Sequence, residues 1–192
     1  NRPAFNVAYV TIHQGPGSPM NDIKVRQAVA YGLDRATVVK QFYYGTGRVA
    51  NEFQPPSLFG WTNKVPKYPY NPTKAKELLN SSSCHVPCKV DFWYPTGVSR
   101  PYMPDPVKNF QAFSASLEKS GFQVVPKTAQ WRPDYVKHVN DGTAGAAVVH
   151  QLGAIATSGA RLEIQDTNGG GSCGNQCGRP VSPEGGRAKG TP

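Results

Sequence analysis

Apolar positions recur at helical spacing most regularly in residues 21–47, NDIKVRQAVAYGLDRATVVKQFYYGTG. Val25, Ala28, Val29, Gly32, Leu33 and Ala36 form one stripe at i, i+3, i+4, i+7 and i+8, and Lys24, Arg26, Gln27 and Arg35 fall off it. This spacing predicts an amphipathic helix begun by Asn21 or Asp22, either of which can accept an orphan amide hydrogen. Asp34, ahead of Val38, Val39 and Phe42, predicts a second, turn-linked helix that Gly45 or Gly47 closes in a left-handed conformation. Most other elements read as things packed against this pair.

Residues 4–13, AFNVAYVTIH, set Phe5, Val7 and Tyr9 against Ala8, Val10 and Ile12, as in a strand covered on both faces. The run QGPGSP at 14–19 then breaks the chain before the central helix. Prolines exclude a regular element from residues 51–71, while Phe59, Trp61, Tyr68 and Tyr70 still need cover, which predicts a packed loop. Asn71 and Pro72 make an N-cap and first-position pair for a short helix that buries Ala75, Leu78 and Leu79. Further on, strands are expected at Cys88–Tyr94, Phe122–Val125 and Ala146–Val149. Helices are expected from about Pro106 to Ser120, stopped by Gly121, and from Pro133 to Asn140. Strands alternating with helices argue for an α/β domain with a largely parallel sheet.

Composition divides this picture in two. A body of about 150 residues can bury roughly 70% of its unfolded surface, but the whole chain is only 38% hydrophobic, with 20 Gly and 18 Pro. The apolar deficit lies at the end, where residues 168–192 offer Val181, Ala188 and two cysteines as their only apolar side chains. Such a segment cannot offset its ordering entropy by burial, so residues 151–192 are expected to be a divergent, disordered tail on a domain of residues 1–150.

Charge raises one alternative function. The net charge is +9, and residues 1–150 carry 17 Lys and Arg against 9 Asp and Glu. A basic nucleic-acid-binding module is one reading of that balance. The lysines, however, are scattered singly (Lys64, Lys67, Lys89, Lys108, Lys127) and not clustered among aromatic residues, which fits a solvated surface better. No run approaches the roughly 18 apolar residues of a membrane helix. Because the chain opens within an apparent strand, it is expected to be an internal piece of a longer protein.

Two stretches carry a family resemblance. The first comprises Asp22, Val25, Arg26, Gln27, Ala28, Val29, Tyr31, Leu33, Asp34, Arg35, Val38, Val39, Gly45, Gly47, Ala50, Pro55 and Pro56; the second is YPYNPTKAKELL at 68–79. Both resemble the extracytoplasmic solute-binding proteins of ABC importers, in the oligopeptide, dipeptide and nickel-binding family. The resemblance implies one lobe of a type II periplasmic-binding-protein-like fold, a mixed, mainly parallel sheet flanked by helices, with residues 1–150 as part of the second lobe. It also implies a peptide ligand held by its carboxylate end, ABC permease subunits as partners, and a place outside the cytoplasmic membrane. The parent is expected to be monomeric and membrane-associated only through the permease or a lipid anchor, with nickel complexes or sugars as alternative cargo. After residue 150 the family is expected to continue with a Gly-Trp segment and an acidic residue for the peptide's amino group. Here Gln151, Leu152 and Gly153 lead elsewhere, which suggests a shifted reading frame or chimeric end.

The candidate ligand site is the loop GVSRPYMP at 97–104. Arg100 sits just past a strand end, the crevice position that ligands favour in α/β sheets, and its guanidinium offers five fixed donors matched to a carboxylate. Tyr102 adds a hydroxyl and a flat apolar face. Arg100, Pro101 and Tyr102 match the family's Arg-Pro-Tyr motif, whose arginine is implied to hold the peptide's terminal carboxylate. Trp131 and Tyr135 align with family positions as well but read as buried core aromatics.

Two Cys-x3-Cys pairs, Cys84 with Cys88 and Cys173 with Cys177, admit a four-thiolate zinc site, free thiols or, preferred for the first pair in an exported protein, a local disulfide. His13, His85, His138 and His150 share no metal-ligand spacing, so neither metal nor cofactor is expected. No Gly-x-Ser-x-Gly, Walker loop or His-Glu-x-x-His occurs, and a non-catalytic protein is expected.

Overall fold

A computed structural model describes residues 6–52, 55–56, 61–141, 148–154 and 161–164, the last two segments as backbone. Six strands, β1 (Val7–Ile12), β2 (Arg48–Val49), β3 (Cys88–Thr96), β4 (Phe122–Gln130), β5 (Val148–Ala154) and β6 (Arg161–Ile164), form one sheet in the order β2-β6-β1-β5-β3-β4. Strand β3 runs parallel to both β4 and β5, β6 parallel to β1 and β2, and the β1–β5 pair alone is antiparallel. The expected mixed, mainly parallel sheet is what forms.

One face of this sheet carries the main core. Cys88, Val90 and Phe92 of β3, with Ala8 and Val10 of β1, meet Val25, Ala28, Val29 and Leu33 from the first helical pair and Phe110, Phe113 and Leu117 from a later helix. The pair is α1 (Ile23–Gly32) and α2 (Arg35–Phe42); α3 is Pro72–Asn80, α4 Pro106–Lys119 and α5 Val136–Asp141. Each of the first four helices starts on a side chain that accepts a backbone hydrogen bond: Asp22 from Lys24, Asp34 from Thr37, Asn71 from Lys74 and Asp105 from Lys108. Helix α2 ends in a turn where the Thr46 amide donates to the Tyr43 carbonyl, with Tyr44 and Gly45 both at positive φ, as expected of Gly45.

Several expectations are corrected. Because α1 stops at Gly32 and the chain restarts at Asp34, Ala36 rotates off the stripe and is exposed. Arg26 and Arg35, expected on the solvent side, are buried at 7% exposure each. Arg26 donates to the carbonyls of Met20 and Asn21, and Arg35 to those of Ala50 and Tyr68, so each satisfies one buried and one part-buried loop carbonyl. Tyr68 of the expected loop is thereby fastened to α2 and its ring meets Tyr31 edge-on at 5.2 Å, whereas Trp61, expected to be covered, is 40% exposed and Phe59 lies outside the described residues.

Strands β3 and β4 outrun their expected ends through Pro95 and Pro126. Strand β4 is an edge, and β3 pairs with β5 only at Asp91–Trp93, so each proline has an open side for its missing donor. The helix expected from Pro133 starts at Val136, after a wide turn Trp131–Tyr135 broken at Arg132 (φ −133°, ψ 140°). The sheet also passes the boundary drawn at residue 150, since β5 continues to Ala154 and β6 pairs with β1 and β2.

Cys84 and Cys88 are joined as a disulfide, closing a loop worth about 2 kcal/mol on chain-entropy grounds. Cys173 and Cys177 lie outside the described residues. Among the described residues no helix is long and apolar enough to cross a membrane, and no cluster of three or more His, Cys, Asp or Glu could hold a metal ion.

Candidate functional site

The carboxyl ends of the parallel strands β3 and β4 lie side by side, with Thr96 opposite Gln130. That register brings together the loop 97–104, which leaves β3, and the Trp131–Tyr135 turn, which leaves β4. Strand β1, antiparallel to β5, brings its own first residues to this same rim, with Val7 opposite Ala154.

Gly97 turns the chain out of β3 at φ +66°, a conformation that favours glycine. Arg100 and Met103 then exchange both backbone hydrogen bonds, at 3.1 and 2.8 Å, and the Ser99 hydroxyl donates to the Pro104 carbonyl at 2.8 Å. A small closed loop results, with Pro101 and Tyr102 at its turn. Met103 and Tyr102 point inward, at 0% and 5% exposure.

Arg100 is exposed, and its guanidinium carbon stands 5.7 Å from the centre of the Trp131 ring. That is cation–π distance, worth about 0.5–1 kcal/mol at an exposed site. Among the described residues no carboxylate forms an ion pair with this guanidinium, in contrast to Lys74 with Glu77 and Lys108 with Asp105. The indole stiffens one side of the cation and leaves its donors open, a geometry suited to a planar carboxylate.

Aromatic side chains line the strands and loops at this rim. Burial raises the Tyr102 phenol above its ordinary range, with the neighbouring Arg100 charge acting the other way. Tyr9 of β1 is likewise raised, by burial first and then by proximity to Tyr102. Tyr94 stacks on Phe110 with centroids 4.1 Å apart, and Trp131 on Tyr135 at 5.9 Å. Both phenols are thus neutral at physiological pH.

The two site residues expected from sequence occupy one loop but differ in access: Arg100 faces solvent and Tyr102 is buried. Tyr135 is a buried aromatic as expected, its hydroxyl donating to the Trp93 carbonyl at 3.1 Å. Trp131 is half-buried and serves as the platform for Arg100, a role its alignment alone did not give. Tyr43 and Asn109 were missed altogether. The Tyr43 hydroxyl donates to the Tyr102 carbonyl at 2.9 Å and accepts from the Asn109 side-chain amide at 3.2 Å. In the sequence Tyr43 lies between the resembling positions Val39 and Gly45 and Asn109 within an amphipathic helix, but nothing local links either to the 97–104 loop.

Comparison with known proteins gives this architecture a context. The family model described as bacterial extracellular solute-binding proteins, family 5 Middle, matches residues 1–172. The dipeptide-binding protein of Escherichia coli K12 is 33% identical over 140 residues, covering 73% of this chain and 26% of that protein. Heme-binding protein A of Haemophilus influenzae is 32% identical over 144 residues, covering 75% of this chain and 26% of its own. Among solved structures, HbpA2 from Haemophilus parasuis superposes with a TM-score of 0.73 at 28% identity, covering 81% of this chain and 29% of that one. The dipeptide binding protein of Pseudoalteromonas sp. SM9913 in complex with Met-Leu superposes at 0.71 over 80% of this chain and 29% of that one; at 23% identity it speaks for the fold alone. The chain spans about a quarter of the length of the curated relatives it matches.

Proposed function

Because this chain belongs to the bacterial extracellular solute-binding proteins of family 5, we propose that it is part of the second lobe of a peptide receptor serving an ABC importer. In this reading residues 1–150 supply one wall of an interlobe cleft, and the peptide's terminal carboxylate docks on Arg100 with Tyr102 as the floor. Lobe closure on a hinge would give the form that the permease recognises, outside the cytoplasmic membrane. The dipeptide-binding relative supports the cargo class. Family membership also disfavours the nucleic-acid reading and leaves the scattered lysines as solvated surface.

One observation carries the assignment: a guanidinium with no ion-pair partner among the described residues, braced on Trp131 at the carboxyl ends of parallel strands. Its fork of donors matches a bidentate oxyanion, which a free peptide carboxylate supplies and an amidated peptide lacks. One lobe alone buries too little of a peptide to hold it tightly, so the test uses the full-length polypeptide that contains this lobe. Calorimetry with a free dipeptide should show Arg100→Ala losing about 2–5 kcal/mol of affinity, and amidation of the peptide should cost the wild type a comparable amount. Unchanged affinity in Arg100→Ala rejects the assignment.

A further inference from the structure

A buried polar contact ties the loop that carries Arg100 to two helices. Tyr43, at the end of α2, is 0% exposed, and so is Asn109, on α4. The Asn109 amide donates to the phenol oxygen of Tyr43, and the phenol donates onward to the Tyr102 carbonyl. The direction of this relay is set by chemistry. An amide nitrogen can only donate, so it occupies a lone pair of the phenol oxygen and leaves the phenol's own proton for Tyr102. The other end of the same amide, Asn109 Oδ1, is buried without a hydrogen-bond partner. A buried acceptor without a partner is costly, so packing alone does not account for an asparagine at this place.

We infer that Tyr43, oriented by Asn109, is a positioning residue that latches the 97–104 loop to both helices and so fixes Arg100 over Trp131. The inference rests on the carboxylate-docking reading for its functional meaning. Its geometric content stands apart: the latch grips the carbonyl at the tip of the turn, and the Arg100–Met103 backbone pair closes the loop behind it. Without the latch, that pair loses its outer tether while β3 keeps its ladder to β4 and β5. Asparagine, and not aspartate, is required, because a carboxylate would accept the phenol's proton and turn it away from Tyr102.

Amide hydrogen exchange on the full 192-residue chain, without ligand, tests this directly. Tyr43→Phe removes one oxygen and leaves the ring, and Asn109→Asp exchanges donor for acceptor at nearly constant shape. Either variant should speed exchange of the Arg100 and Met103 amides about tenfold, the equivalent of one hydrogen bond, relative to Phe92 in mid-sheet. The ring-current shift of the Arg100 side-chain protons over Trp131 should shrink in parallel. If Arg100, Met103 and Phe92 change in step in both variants, the two residues merely support the fold and the latch is wrong. Accelerated loop exchange together with an Arg100→Ala receptor of unchanged peptide affinity would keep the latch and discard the ligand reading.

Discussion

Arg35 and Arg100 carry the same guanidinium in opposite circumstances. Arg35, in the helical layer, is 7% exposed and donates to the Ala50 carbonyl at 2.9 Å and the Tyr68 carbonyl at 2.7 Å. Arg100, at the rim of the sheet, is exposed, rests on an indole, and has no ion-pair partner among the described residues. The first arginine spends its donors on the fold; the second is the one that the proposed reading gives to a ligand. Donor occupancy and burial, not residue type, separate them. Asp105 falls between the two, half-exposed with its carboxylate already accepting from the Lys108 amide. Stability should therefore fall along this series in proportion to how buried and how engaged each charge is.

The largest loss is expected for Arg35→Ala. It strips the buried Ala50 carbonyl and the part-buried Tyr68 carbonyl of a charged donor and frees both from α2, at a cost of about 3 kcal/mol in chemical denaturation. Arg35→Lys should recover only part of this, since an ammonium lacks the fork that spans Ala50 and Tyr68. A loss below about 1 kcal/mol would mean that water replaces the guanidinium, and the comparison with Arg100 would collapse.

How much of this was legible in the sequence depends on the range of each signal. The helix starts were readable because their causes are local: Asp34 accepts from Thr37 three residues on, and Asn71 precedes Pro72. The roles of Arg26 and Arg35 were not, because their acceptors are main-chain carbonyls, which every residue carries and no pattern marks. The extension of β4 through Pro126 was hidden for another reason, since tolerance of proline depends on the strand's being an edge, a property of the whole sheet. The site divides in the same way. Arg100 stood out beside Pro101 and Tyr102, whereas its platform Trp131 lies 31 positions later by number and reaches it only through the Thr96–Gln130 register.

Asp105→Ala should cost about 1 kcal/mol, the usual worth of a helix cap, with α4 as the element weakened. Its pH dependence sharpens the comparison. The hydrogen bond from the Lys108 amide, outweighing the effect of burial, holds the Asp105 carboxyl below its ordinary value in the folded chain. The charged cap therefore contributes fully above the unfolded value of about 3.9 and is lost as pH falls through the lower folded value. The difference between wild type and Asp105→Ala in urea melts should hold steady from about pH 7 to 5 and narrow below about pH 4. A gap that ignores pH would assign the effect to packing.

Arg100→Ala should change stability least, by about 0.5 kcal/mol, the low end of an exposed cation–π contact. Its backbone bonds to Met103 survive the substitution, and among the described residues no carboxylate loses an ion-pair partner. Measured in the same urea melts as Arg35→Ala, it should leave the midpoint almost unmoved while abolishing carboxylate-dependent binding in the full-length polypeptide. That combination is informative because a side chain held for folding cannot show it: removing such a group must cost stability. Should Arg100→Ala destabilise the chain as much as Arg35→Ala, the guanidinium would be what seats Trp131 against the sheet, and an arginine already engaged in that way would leave the cleft with no open cation for a carboxylate.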